Sequence, residues 1–276
     1  MHGALKTLLL IGALLSGSAA ATPPTTRPAA PLSIGETFLV DSAALGETRR
    51  INVYFPYDYT PASKTRLPVL YVPDGGLMED FLHVAGLSQV LIGNGGMRPF
   101  LVVGIENTER RRDLTGPTTD PEDRKIAPRV GGSQAFRDFI RRELKPQIRA
   151  RYPTTDESAV IGESLAGLFV VETFLREPDL FDRYIAIDPS LWWNRSALLA
   201  EAEALPPGAR TDKPLFLATS AQAEIAAATQ TLQRTLRAAD APVDYVSLPE
   251  ESHATIYHPA ALIALRRMLA APKAAD

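Results

Sequence analysis

Short, nearly unbroken aliphatic runs recur along the chain: Leu67–Val72 (LPVLYV), Phe100–Ile105 (FLVVGI), Ala159–Ile161, Tyr184–Ile187, Leu215–Ala218 and Val243–Leu248. A strand wet on one face alternates polar and apolar residues. Runs without alternation fit strands covered on both faces, as in a parallel sheet. Thr37–Val40 and Arg50–Phe55 (RINVYF) precede them and read as early antiparallel strands. Between the runs the apolar spacing changes. Phe136, Phe139, Ile140, Leu144 and Ile148 keep a helical period, which predicts an amphipathic helix over Ser133–Ala150 with Ser133 as its N-cap. Pro146 should kink that helix or split its last turn. Leu168–Arg176, Ala226–Ala239 and Ala260–Ala271 are further helix candidates. Strand–helix alternation with short links predicts an α/β fold, a mostly parallel central sheet with helices on both faces. Ligands of such sheets bind beyond the carboxyl ends of the strands.

The start of the chain has a different character. Met1–Ala21 reads as a secretory signal, with His2 and Lys6 ahead of an apolar stretch, Leu8–Leu15, and small residues at Ser18–Ala21. That stretch is too short to cross a bilayer as a helix, so no membrane insertion is expected after cleavage near Ala20 or Ala21. Residues 22–33 are a Pro/Thr/Ala-rich leader. Residues 34–272 then suit one large α/β domain. Export predicts a periplasmic or secreted protein. The absence of cysteine excludes disulfides, thiolate metal sites and cysteine nucleophiles. A net charge of -3 carries no overall basic signal for nucleic acid.

Val160–Gly167 (VIGESLAG) sets a lone serine between a strand pattern and small residues. Strand, Gly162-Glu163-Ser164-Leu165-Ala166-Gly167, then a helical stretch match a nucleophile elbow. The residues two positions either side of the serine must be small, and Gly162 and Ala166 meet that demand. A serine hydroxyl needs a base within hydrogen-bond reach and a group to orient that base. Of His2, His83, His253 and His258, only His253 stands in the polar loop after the last strand run, and it is the expected base. Glu224, in the loop after Leu215–Ala218, is the expected acid, with Asp188 as its rival. The order Ser164, Glu224, His253 is that of α/β-hydrolases. Oxyanion donors are expected from the Leu165 amide and from Gly75 or Gly76, where Pro73-Asp74-Gly75-Gly76 follows a strand. Glu109–Gly132, polar and rich in Pro and Gly, is the candidate cover of the site.

Several stretches together resemble the esterase group of α/β-hydrolases that includes esterase D and the enterochelin (ferric-siderophore) esterases. They are Leu70–Gly75, Val102–Thr108, Arg110–Thr115 (RRRDLT), the elbow, and Asp188–Trp193 (DPSLWW), and the likeness covers roughly Ile34 to Leu269. The nearest likeness is to the periplasmic branch that cleaves trilactone siderophores. The resemblance implies the α/β-hydrolase fold and serine-hydrolase chemistry on a small-molecule carboxylic ester, with no metal or organic cofactor. It further implies Arg110 and Arg112 as substrate contacts, and Trp192 and Trp193 as pocket lining. Glu163 stands where relatives often carry histidine, and Ala166 where glycine is usual. An acyltransferase, or a non-catalytic periplasmic binding module, on the same fold is the alternative.

Overall fold

A computed structural model of the chain describes residues 25–204 and 212–271. The signal reading on Met1–Ala21 lies outside the described residues. Residues 25–33 carry no helix or strand, and the compact unit starts at Ile34. Within it run β1 (Gly35–Ser42), β2 (Glu47–Tyr54), β3 (Leu67–Val72), α1 (Phe81–Gly93), β4 (Leu101–Ile105) and a single turn of helix, α2 (Arg110–Asp113). Then follow α3 (Ser133–Phe139), α4 (Lys145–Arg151), β5 (Thr154–Glu163), α5 (Leu165–Arg176) and β6 (Arg183–Ile187). The unit closes with α6 (Trp193–Glu203), β7 (Leu215–Thr219), α7 (Ala223–Ala238), β8 (Val243–Ser247) and α8 (Tyr257–Met268).

The strands form one eight-stranded sheet in the order β1-β2-β4-β3-β5-β6-β7-β8. β1 pairs antiparallel with β2, and β2 antiparallel with β4; every later pairing is parallel. This is the mostly parallel sheet of an α/β-hydrolase, as the apolar runs predict. Alternate residues of each buried strand serve opposite faces. Leu70, Val72, Ile161, Ile185 and Phe216 pack beneath α1 and α8. Val69, Tyr71, Val160, Tyr184 and Leu217 pack with the side chains of α3, α4, α5 and α7. Pro68 sits in the central strand β3 and has no N–H to give. The pairing with β5 shifts register between Leu67 and Val69, which removes the need for one.

Two helix expectations change in detail. Ser133 is the first residue of α3 rather than its cap; Gly132 is the cap, and Ser133 Oγ, buried, donates 3.0 Å to Glu172 Oε1. The predicted long helix is divided where Pro146 requires it. A widened π turn, Ile140–Leu144, joins α3 to α4, and Pro146 lies in the first turn of α4. Proline has no amide for the carbonyl four residues back, and its ring crowds that carbonyl; the wider turn takes up both.

The segment after β4 is tied to the sheet by buried charge. Arg49 on β2 and Asp113 on α2 are both fully buried and ion-paired. Arg49 Nη1 also donates to Thr108 Oγ1 and Glu47 Oε1, each at 2.9 Å. Arg112 grips both Glu47 oxygens, at 2.7 and 3.0 Å, and reaches Asp113 Oδ1 at 2.6 Å. Removing Asp113 leaves the fully buried Arg49 with only Glu47 and Thr108, both on one nitrogen, and gives it no water in exchange. Asp113→Ala should therefore lower the unfolding free energy in urea by about 3 kcal/mol. A double replacement, Arg49→Met with Asp113→Leu, should recover most of that loss; a single variant within about 0.5 kcal/mol of wild type would refute the account.

Candidate active site

The turn between β5 and α5 holds Ser164 at φ 60°, ψ −118°. An L-residue enters this region only at a cost on the order of 1–3 kcal/mol, so the surroundings must impose it. The Ser164 amide donates 3.0 Å to Ile187 O at the end of β6, and the Ser164 carbonyl accepts from Leu168 at 2.9 Å and Ser190 at 3.1 Å. Crowding does the rest. A Cβ built on Gly162 would lie 2.6 Å from the Ala166 methyl, so β5 and α5 can meet this closely only with glycine at that position. Ala166 itself is fully buried and accommodated. Leu165 opens α5, and as the first helical residue its N–H has no acceptor within the helix.

His253 arrives from the loop after β8, its Nε2 3.0 Å from Ser164 Oγ. Its Nδ1 lies 2.7 Å from Asp188 Oδ2. Asp188 directly follows β6, is fully buried, and adopts φ 44°, a left-handed conformation that aspartate tolerates better than most residues. It also accepts from the Ser220 amide at 2.8 Å and the Ser220 hydroxyl at 2.7 Å. Glu224 is not the carboxylate that meets the imidazole. It lies exposed in the first turn of α7 and, among the described residues, makes no hydrogen bond or ion pair with His253. The loop after β7 instead sends Ser220 to Asp188. Burial alone would raise the Asp188 pKa, but the hydrogen bonds from His253 and Ser220 outweigh it and hold the acid below the ordinary range. The same hydrogen bond to Asp188 raises the His253 pKa against the opposing effect of burial.

The expected oxyanion loop is only partly available. The Gly75 amide donates 2.9 Å to Ile105 O, and a Cβ there would fall 2.0 Å from the Ile105 nitrogen. Gly75 is therefore glycine because two backbones meet, and its N–H is spent on β4. The Gly76 amide donates 2.7 Å to Glu79 Oε2, so it can face another acceptor only when that side chain swings aside.

The expected substrate contacts divide as well. Arg110 is clasped by Asp74 through two bonds, Nε to Oδ1 at 2.8 Å and Nη2 to Oδ2 at 2.7 Å, yet its side chain keeps 37% exposure. Arg112 is consumed by Glu47 and Asp113 and keeps only 13%. Trp192 is exposed, whereas Trp193 is buried and its indole donates 2.8 Å to Gly116 O. Trp193 thus anchors the 109–132 segment rather than lining an open pocket.

Carboxylates crowd the centre. Glu163 Oε1 lies 3.4 Å from His253 Nε2. Burial pushes the Glu163 pKa up to about 7, with the charges of Asp80 and Asp188 adding and those of His253 and Arg110 opposing. Asp80, just ahead of α1, is also pushed up to about 7, first by burial and then by Asp74. His83 on α1 points elsewhere, with Nε2 3.0 Å from His258 Nδ1 on α8. Sequence reasoning named Asp188 only as a rival and passed over Ser220, Ser190 and Asp80. Ser190 Oγ stands 3.3 Å from Ser164 Oγ. One signal for Asp188 and Ser190 was present, because Asp188-Pro189-Ser190 directly follows the strand run Tyr184–Ile187.

Known proteins share this arrangement of elements. The chain is 33% identical over 174 residues to ferri-bacillibactin esterase BesA of Bacillus subtilis, 57% of this chain and 59% of that one. It is 32% identical over 194 residues to the siderophore triacetylfusarinine C esterase of Aspergillus fumigatus, 63% of this chain and 62% of that one. It thus spans about six tenths of the length of the curated relatives it matches. A crystal structure of an IroE-like serine hydrolase from Shewanella oneidensis superposes with a TM-score of 0.75 at 26% identity, covering 85% of this chain and 80% of that one. Residues 42–244 match the family model described as "Putative esterase", and the chain belongs to that family.

Proposed function

We propose that the protein is a serine esterase that cleaves carboxylic esters through an acyl-enzyme. The observation that carries this reading is the continuous hydrogen-bonded line from Ser164 Oγ through His253 to Asp188, at 3.0 and 2.7 Å. Asp188 accepts a hydrogen bond from Nδ1–H and so holds the tautomer whose Nε2 lone pair faces the serine hydroxyl. Ser164 Oγ attacks the ester carbonyl as its proton passes to Nε2. The tetrahedral oxyanion takes the Leu165 amide, and the Gly76 amide once Glu79 has released it. His253 then returns the proton to the leaving alcohol. Water attacks the acyl-enzyme by the same relay and restores Ser164.

The names of the relatives support a siderophore ester as substrate class, and the family resemblance in the sequence narrows it to the trilactone type. Arg110 with its remaining exposure, and exposed Trp192, are the side chains suited to touch it. Export through Met1–Ala21 would place the reaction in the periplasm or outside the cell. Among the described residues no helix is long and apolar enough to cross a membrane.

Ser164→Ala should cut p-nitrophenyl acetate turnover by roughly 10⁴-fold or more and abolish labelling by a fluorophosphonate probe, with Tm lowered by no more than a few degrees. Full turnover in the pure variant would end the assignment. Asp188→Asn should reduce kcat by up to about 10⁴-fold, because asparagine can present its amide to Nδ1 and favour the wrong tautomer. Glu224→Gln should leave kcat within about twofold, and the reverse ranking would restore Glu224 as the acid. In a hydrolysis panel, trilactone siderophores, ferric or iron-free, should exceed short p-nitrophenyl esters in kcat/KM; the opposite order would remove the siderophore reading while keeping the esterase.

A further inference from the structure

Glu163 precedes the nucleophile, and the mechanism above makes no use of it. Its Oε1 approaches the nitrogen that faces Ser164, not the one held by Asp188: 3.4 Å against 3.0 Å for Ser164 Oγ. That oxygen is buried and, among the described residues, makes no hydrogen bond, its contact with Nε2 being an ion-pair distance. The two nitrogens of a histidine are not equivalent for this purpose. An acceptor on Nδ1 fixes the tautomer that leaves the Nε2 lone pair free. An ionised carboxylate beside Nε2 instead faces that lone pair and favours a proton on the nitrogen. A neutral carboxyl group there can turn its own O–H onto the lone pair and compete with the serine. Both arrangements hold a single proton between the two groups.

We propose that Glu163 is a second catalytic carboxylate that shares a proton with His253 Nε2, so that the base becomes available to Ser164 only when the pair has lost that proton. The inference rests on the reading of Ser164, His253 and Asp188 as the reacting groups. The proton, when it leaves, goes to solvent, since His253 keeps 35% side-chain exposure.

The charged groups around the pair come from every element that meets there: Asp188 after β6, Asp80 ahead of α1, Arg110 of α2 and His253 itself. Arg110 is partly neutralised by Asp74. Tyr257 of α8, whose buried hydroxyl has no hydrogen-bond partner among the described residues, lies in the field of Asp80, Asp74 and Glu163 and stays neutral, its pKa raised first by burial. For His253 the Asp188 hydrogen bond raises the pKa most, burial opposes, and the charges of Glu163 and Asp188 then raise it further. The sign follows. A charged Glu163 makes the His253 imidazolium lose its Nε2 proton at higher pH than Asp188 alone would require, and activity needs that loss. Once the serine proton is in flight, the same charge stabilises the imidazolium. Glu163 thus slows the enzyme on the acid side and speeds it on the plateau.

Two measurements test this. In Glu163→Gln, the acid limb of kcat/KM should move down by about one pH unit, at the low end of what an opposite charge does at this range. The plateau should fall by up to roughly tenfold, the same interaction being lost from the transition state, so the two profiles cross. A residue that only packs would lower the profile evenly and leave the limb in place. By NMR, the His253 ring signals of the wild-type protein should titrate in more than one step, and in Glu163→Gln in a single step at lower pH. A single wild-type step would overturn the proposal even where the variant does not fold, as would an unmoved limb and midpoint in a folded variant. Failure of Ser164 to react with the fluorophosphonate probe, with the stepped titration intact, would instead strike the esterase reading.

Discussion

The left-handed turn at Ser164 is the constraint on which the site depends. A serine at φ 60° relaxes unless both flanking elements are immobile. Here they are. β5 is central in the sheet, between β3 and β6, and nearly every residue of α5 up to Phe174 is buried. Gly162 and Ala166 set how closely strand and helix approach, and that separation projects the hydroxyl past the sheet edge. Loosening the core beneath α5 would cost the chemistry before it cost the fold, because the strained conformer would be the first to relax.

This constraint was readable in the sequence, since close approach demands small residues and a parallel strand demands an apolar run. Leu67–Val72 is a strand at the predicted bounds, and the other runs differ from theirs mostly at their ends. β5 runs from Thr154 to Glu163, longer than its apolar kernel, because its first residues include Asp156 and Glu157 at the sheet margin and carry no apolar signal. The helices α1 and α6 had weaker signatures. α1 is apolar almost all round, so its period says little, and α6 passes through left-handed residues at Asn194–Ser196 before it settles.

The acid was harder to place, for a topological reason. After β7 the chain can offer a carboxylate only from the first turn of α7, where Glu224 faces water and the helix dipole holds it without help from the site. After β6 the chain turns at once through Asp188, Pro189 and Ser190, under the same edge from which Ser164 projects. Ile187 accepts the Ser164 amide and Asp188 is the next residue, so the backbone bond that braces Ser164 also places Asp188. Ser220, at the address where the acid is usual, then supplies two donors to Asp188. In the proposed triad the chain order Ser164, Asp188, His253 is unchanged in kind; only the strand that carries the carboxylate differs.

The remaining misreadings share one physical origin. Sequence marks which donors a segment owns, and folding decides where they are spent. Gly75, Arg112 and Trp193 all lie in motifs that the family likeness links to the site, and each has committed its donor to the scaffold: to Ile105, to Glu47 and Asp113, and to Gly116. The bonds of Arg112 and Trp193 tie the β4–α3 segment to β2 and to the start of α6, which is a precondition for Arg110 to stand beside Asp74 and Glu163. The motif as a unit therefore serves the site, while most of its conspicuous side chains do so at one remove. Glu163 is the converse case. It carries no structural bond on Oε1, stands in contact with the reacting nitrogen, and was visible in the sequence only as an unusual neighbour of the serine. A buried acceptor left without a donor costs about 1–3 kcal/mol, and what sets Glu163 apart from the other unpartnered buried groups is its place 3.4 Å from the nitrogen of His253 that faces Ser164.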